Sequence, residues 1–588
     1  MHMNRREFLY AMALAGAAGM LRPRGAQAMG WFRDDPYGVP DFGNVSLLHF
    51  TDCHAQLNPV HFREPHINIG VGSMKGEPPH LVTDAFLDYY GIPHESRRAH
   101  AFTPLGYVEA AREFGRMGGF AHLKTLVDRY RAERDGRTLL LDGGDTWQGS
   151  ASALWSRAAD MVRASNELGV DVMTGHWEFT YGEERVKEII DDELDADFVA
   201  HNIKDATWGD HVDFFDSYVV KERDGVRIAV VGQAFPYTPI ANPSYKIPDW
   251  SFGIQEDHAQ KVVDEIREGG KADVVVLLSH NGMDVDKKMA SRLRGVDVIL
   301  GGHTHDAVPA PMEIANAGGG IGGKTLVVNS GSNGKFLSRL DLDVKDGRVR
   351  DYRFHMLPVF SSVLEAEPGM QRLIDDERAR AEKAAGKRLD EELAVTEDLL
   401  YRRGNFTGTF DQLILDALRD TQDAEIALSP GFRWGVSVLP GDPITLEQAY
   451  TMTAITYPYV TVNEMTGERL KFVLEDVAAN LFNPDPYYQQ GGDMVRVGGM
   501  RYAIDPTAET GRRITDMAIG DRPIDPNKTY KVASWAPVDP VDEGLPPAYE
   551  VFSDWLRSRK TVRAGEPNVP VIKGIKDNPG LDRDLLGA

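Results

Sequence analysis

Residues 45–54 read Val-Ser-Leu-Leu-His-Phe-Thr-Asp-Cys-His, a short apolar run that ends abruptly in a carboxylate and an imidazole. Val45–Phe50 has the density of large apolar residues that a strand covered on both faces requires. The pattern recurs downstream. Thr138–Asp142 runs into Gly143-Gly-Asp145, Asp273–Leu278 into Ser279-His280-Asn281, and Val296–Leu300 into Gly301-Gly-His303-Thr-His305. Arg227–Val231 is another strand of this kind. Helical periods separate them, so residues 45–358 are expected to fold as an α/β layered domain.

A fifth polar cluster is Gly175-His176-Trp177-Glu178. Open α/β sheets bind ligands at the carboxyl ends of their strands, where four of the five clusters fall. In Asp52-x-His54, strand alternation is expected to put both side chains on one side and to turn Cys53 away. His303 and His305 repeat that spacing. Asp145 follows a glycine pair whose turn presents its carboxylate, and a carboxylate between two cations bridges them and reduces their repulsion. Imidazole mixed with carboxylate suits manganese, iron or zinc, whereas an all-oxygen site would suit magnesium or calcium. Each cluster alone is weak evidence, because a buried histidine is usually a core residue and Gly-Gly-Asp is often only a turn. Five in one domain point to a metal site. His201, in Ala200-His-Asn-Ile203, is read as a core histidine.

The chain has 588 residues, too many for one ordinary core, so two or more domains are expected. With 42% hydrophobic and 26% charged residues it is neither wholly disordered nor a polytopic membrane protein. A net charge of −24 makes the chain a poor candidate for binding a nucleic-acid backbone. The single cysteine, Cys53, has no partner for an internal disulfide.

Asn4-Arg5-Arg6-Glu7-Phe8-Leu9 precedes an apolar run to Leu21, and Ala26-Gln27-Ala28 closes it. This reads as a signal peptide over residues 1–28, cleaved after Ala28. The arginine pair is similar to twin-arginine signals, which export folded proteins to the periplasm. The run is too short to span a bilayer, so no membrane anchor is expected after cleavage. A charged, alanine-rich stretch over 367–392 is read as a solvated connecting helix. A second α/β body follows over 394–580.

The order D-x-H, GGD, G-[NH]-x-E, SH, GHxH resembles the calcineurin-like metallophosphoesterases of the 5′-nucleotidase family. Asp416-Ala417, Pro430-Gly-Phe-Arg433, Tyr457-Pro-Tyr459 and Gly498-Gly-Met-Arg-Tyr502 resemble that family's C-terminal substrate domain. The resemblance implies a four-layer α/β/β/α sandwich, a linker helix and a C-terminal α/β substrate domain. It also implies two divalent metals, manganese first with zinc or iron as alternatives. Asp52, His54, Asp145 and His305 would hold one, and Asp145, His176, His280 and His303 the other.

Nucleotidases read G-N-H-E-F-D where this chain reads Gly175-His176-Trp177-Glu178-Phe179-Thr180. The metal-binding Asn is a histidine here, and the His–Asp pair that serves the leaving group is Trp177 and Thr180. These departures, with Thr51-Asp-Cys-His-Ala-Gln-Leu57, resemble the SoxB branch, the thiosulfohydrolases of bacterial sulfur oxidation. That resemblance implies release of sulfate from a cysteine-bound thiosulfonate on a SoxYZ-type carrier. An alcohol leaving group needs a proton, and a missing acid costs ~10²–10⁴-fold, whereas a persulfide leaves as an anion. Arg433 and Trp177 are the catalytic candidates, and Arg433, Arg403 and Tyr459 the substrate-binding ones. Arg433 would offer a guanidinium fork to the oxyanion. The competing readings are a periplasmic 5′-nucleotidase or cyclic-nucleotide phosphodiesterase, and a binding protein without turnover. A complete set of seven ligands argues against the last.

Overall fold

The structure, a computed structural model, describes residues 35–584, so the signal-peptide reading lies outside the described residues. Two six-stranded sheets make up the N-terminal body. In the first, the strands run in the order Arg348–Pro358, Phe336–Lys345, Val45–Phe50, Thr138–Asp142, Val172–Met173, Asp197–Phe198. In the second the order is Met312–Ala315, Lys324–Asn329, Val298–Gly301, Val274–Ser279, Val226–Gln233, Tyr218–Arg223.

Period-two alternation distributes the apolar strands over three cores. Val45, Leu47, Leu139 and Leu141 of one sheet face Val230, Val276, Leu278, Val298 and Leu300 of the other. The opposite faces of the same strands, Leu48, Phe50 and Leu140, pack on helices through Phe120, Leu123, Val127 and Met161. Val231, Val275, Leu277 and Ile299 cover the second sheet's outer face with Val263, Ile266 and Met289. Both faces of the central strands of each sheet are therefore dry, and the result is an α/β/β/α sandwich.

The strands at the centre of each sheet are parallel. Val45–Phe50 pairs with Thr138–Asp142, which pairs with Val172–Met173. In the second sheet Val274–Ser279 pairs with Val298–Gly301. The five polar clusters therefore emerge at one end of the sandwich, three from one sheet and two from the other.

The connecting helix is Pro368–Ala385, shorter than the expected 367–392. Glu367 caps it by accepting from the N–H groups of Gly369 and Met370, and Gly386 ends it in the left-handed conformation. It is not merely solvated. Met370, Ile374, Glu377 and Ala381 form a buried stripe, and Met370 and Ile374 join the core under the first sheet. The charged residues that suggested a solvent-facing helix occupy its other side.

The second body opens with strand Glu392–Thr396 and has its main sheet in the order Val460–Thr466, Thr529–Trp535, Ile426–Ser429, Arg496–Gly498. Its core is not built from C-terminal residues alone. Ile67, Ile69, Val71 and Met74 are buried with Leu470, Leu474, Phe482 and Tyr502. The far C-terminus returns to the same segment: Asn68 N–H donates to Gly580 O at 2.7 Å, Asp582 N–H to His66 O at 3.0 Å and Val82 N–H to Pro579 O at 3.0 Å. Among the described residues no helix is long and apolar enough to cross a membrane.

Candidate metal centre

Asp52 leaves its strand in a left-handed turn, at φ +53°, and His54 and Ala55 follow at +45° and +54°. This segment runs beside Gly144–Thr146, with the N–H groups of Asp52, His54 and Ala55 donating to the carbonyls of Gly144, Asp145 and Thr146. Asp145, His303 and His305 also have positive φ, at +59°, +74° and +58°. Asp and His tolerate this region better than most side chains, yet each such residue still costs roughly 1–3 kcal/mol. Asp52 and His54 do converge, but through a turn rather than by strand alternation. Cys53, wholly buried, turns into the core beneath the first sheet.

The two sheet ends meet closely. A Cβ on Gly143 would stand 2.5 Å from the Thr51 hydroxyl, and one on Gly302, from the other sheet, would collide with the same atom. Gly143, the first glycine of its pair, lets neighbouring strands of one sheet close on Thr51, and Gly302, the second of its pair, lets the other sheet approach the same atom. His303 N–H crosses the gap and donates to both Asp52 oxygens at 3.0 Å.

The structure brings all seven expected ligands into two buried groups, Asp52–His54–Asp145–His305 and Asp145–His176–His280–His303, each with its ligand atoms within 4.8 Å of one another. Asp145 is common to both. Its Oδ2 lies 3.5 Å from His54 Nε2 and 3.0 Å from His280 Nε2, and its Oδ1 lies 3.4 Å from His176 Nδ1. His305 Nε2 is 3.3 Å from Asp52 Oδ1. The tautomers suit ligation. His280 Nδ1 sits 2.6 Å from Gly143 O and His54 Nδ1 3.2 Å from Gln148 O, which leaves Nε2 of each facing the centre. Both ring nitrogens of His176 and His303 and Nε2 of His280 are buried without a hydrogen-bond partner. Such orphaned atoms are expensive unless a metal ion satisfies them.

Burial holds the rings of His303 and His305 well below the ordinary imidazole value, so both are neutral donors. Burial alone would push the Asp145 carboxyl up, but the His280 and His176 rings overcome it and hold it well below the usual carboxylate range. The donor set fits two divalent metals of the manganese, iron or zinc class.

Glu178 is a contributor that reading for ligands passes over. Its buried carboxylate accepts from the backbone N–H groups of His176 (2.8 Å), Thr146 (2.7 Å), Asp145 and Trp147 (both 3.2 Å). It thereby fixes the loops carrying Asp145 and His176 to each other. Its signal in the sequence is a glutamate two residues beyond a ligand histidine.

A cleft of about 270 Å³ opens onto the centre, lined by His54, Asp145, His176, His303, His305 and, from the second body, by Phe432, Arg433 and Trp434. Trp177, 5% exposed, walls it, edge-on to Trp434 at 4.9 Å and to Phe432 at 5.4 Å. Arg433 reaches the cleft but donates Nη1 to His303 O at 3.3 Å and Nη2 to Gly492 O at 2.6 Å. Arg403 and Tyr459, expected at the substrate, do not line this cleft. Arg403 lies behind the His303–His305 loop and donates to Thr304 O at 3.3 Å. The Tyr459 backbone pairs with Pro547. Arg402 is structural, bound to Asp411 and to the carbonyls of Trp434 and Met452. His201 is a satisfied core histidine, 2.5 Å from Gln233 Oε1.

Comparison with known proteins agrees with this architecture. Residues 45–307 match the calcineurin-like phosphoesterase family and residues 393–539 the 5′-nucleotidase C-terminal domain. The solved sulfate thiohydrolase SoxB of Thermus thermophilus is 37% identical, with a TM-score of 0.85 over 92% of this chain and 98% of its own. The chain belongs to the 5′-nucleotidase family of calcineurin-like phosphoesterases. A 5′-nucleotidase precursor from Thermus thermophilus shares the fold at 22% identity and TM-score 0.71, over 90% of this chain and all of its own. The protein UshA of Yersinia enterocolitica is 25% identical over 71% of this chain and 80% of its own length. Family membership and the buried ligand groups make the protein a metal-dependent hydrolase.

Proposed function

We propose that the protein hydrolyses a cysteine-bound thiosulfonate on a SoxYZ-type carrier, in the periplasm, after export in the folded state by the twin-arginine route. Water attacks the sulfonate sulfur, the bond to the neighbouring chain sulfur breaks, and its electron pair stays on that sulfur. The products are sulfate, a persulfide anion and two protons. A bound metal pair supplies Lewis acidity toward the oxyanion and makes water nucleophilic near neutral pH.

The observation that carries this reading is the aromatic wall. Where the family's His–Asp pair would act, Trp177 packs on Phe432 and Trp434, and the Thr180 hydroxyl is tied to that of Thr456 at 2.7 Å. Neither side chain delivers a proton at neutral pH, and a persulfide needs none. Sulfur also packs well against aromatic rings. Arg433 adds positive charge beside the oxyanion position. Similarity to the Thermus sulfate thiohydrolase supports the same assignment.

The test compares AMP with a carrier-linked thiosulfonate at equal concentration on the wild-type protein. Sulfate release should exceed phosphate release by about 10²-fold or more. Faster phosphate release from AMP would overturn the proposal and make the protein a nucleotidase.

A further inference from the structure

His303 is a metal ligand that the second body closes against. On one face Phe235 stacks against its ring, with centroids 4.0 Å apart. Gly491, from the second body, closes its Nε2 edge. A Cβ on Gly491 would stand 2.8 Å from Cε1 and 3.0 Å from Cδ2, and closer still to Nε2. Gly491 and Gly492 both have positive φ, +76° and +74°, so the turn requires glycine for conformation as well as for space.

Several bonds hold this turn down. Arg433 Nη2 donates to Gly492 O at 2.6 Å, and Asp493 N–H to Gly431 O at 2.8 Å. Just upstream, residues 485–488 are fastened to the N-terminal body. Lys288 Nζ donates to Asp485 at 2.6 Å and sits 3.8 Å from the centre of the Tyr487 ring. The Tyr487 hydroxyl donates to Glu256, which Arg292 Nε grips at 2.7 Å. The Tyr237 hydroxyl donates to the Tyr487 carbonyl.

We infer that this latch of Lys288, Asp485, Tyr487 and Glu256 is a positioning device for one metal of the pair. By pressing Gly491 onto the Nε2 edge of His303, it leaves Nδ1 as the ring atom that faces Asp145, His176 and His280. When the turn lifts, the His303 ring is free to swing, and this group falls from four ligands to three. The Asp52–His54–Asp145–His305 group keeps all of its ligands. The latch residues therefore govern retention of the His303-side metal and leave the other unaffected, whichever substrate the enzyme cleaves.

The experiment uses the full chain loaded with Mn²⁺, with elemental analysis of metal content and release into excess chelator followed in time. Gly491→Ala should purify with one metal per chain instead of two. Tyr487→Phe, which keeps size and packing, should hold two metals but release one of them roughly tenfold faster, the scale on which outer partners of metal ligands act. The second should leave at the wild-type rate. Wild-type release kinetics in Tyr487→Phe would overturn the inference. So would equal acceleration of both metals, which would mark a general loosening.

Discussion

Asp145 is the one carboxylate shared by both ligand groups, so its loss differs in kind from the loss of any single histidine. Asp145→Ala should purify with neither metal, whereas His176→Ala should lose mainly one, as read by elemental analysis. Glu178→Gln keeps the shape but withdraws one accepting oxygen from four backbone donors. It should destabilise the chain by about 2 kcal/mol in urea unfolding and reduce metal content, because the loops of Asp145 and His176 are no longer fixed together. His49 behaves differently again. Burial alone holds its ring down to about 3, while in the unfolded chain it titrates at the ordinary value. Between pH 6.5 and 3 the unfolded chain binds the extra proton, so stability falls as pH falls through that window. His49→Gln removes this contribution. By pH 5 the wild type should have lost about 2 kcal/mol more, relative to neutral pH, than the variant, measured by urea unfolding at each pH.

The elements show where the sequence could be read and where it could not. The apolar strands were legible because both faces of each are buried, and the ligands were legible because they sit where those strands stop. The geometry of Asp52-x-His54 was not. Alternation assumes extended backbone, and the chain turns left-handed at Asp52, a choice made by the pairing with Gly144–Thr146. Segment likeness does not say which side of the His303–His305 loop a side chain takes, and Arg403 lies against Thr304, beside the cleft rather than in its lining. The connecting helix was read by its charges, which conceal the stripe of Met370, Ile374 and Ala381 on the other side. Ile374→Ala should cost about 2–4 kcal/mol of stability in urea unfolding, far more than a solvent-facing helix would lose.

At the scale of the whole molecule, the two bodies are sewn together. Ile67–Met74 fills the core of the C-terminal body, and residues 578–582 return to grip residues 66–82. Ending the chain at Ile575 should therefore expose residues 66–82 to protease and lower the unfolding midpoint, while the spectroscopic secondary structure is largely kept. Limited proteolysis at equal protease load checks this. Cys53, enclosed beneath the first sheet, gives the molecule a property of another sort. It is the chain's only thiol, it is fully covered, and burial raises its pKa well above the ordinary value. Exchange with sulfane sulfur needs an accessible thiolate. Under the proposed thiosulfohydrolase reading, a persulfide product would meet no accessible thiolate on this enzyme that could take its outer sulfur.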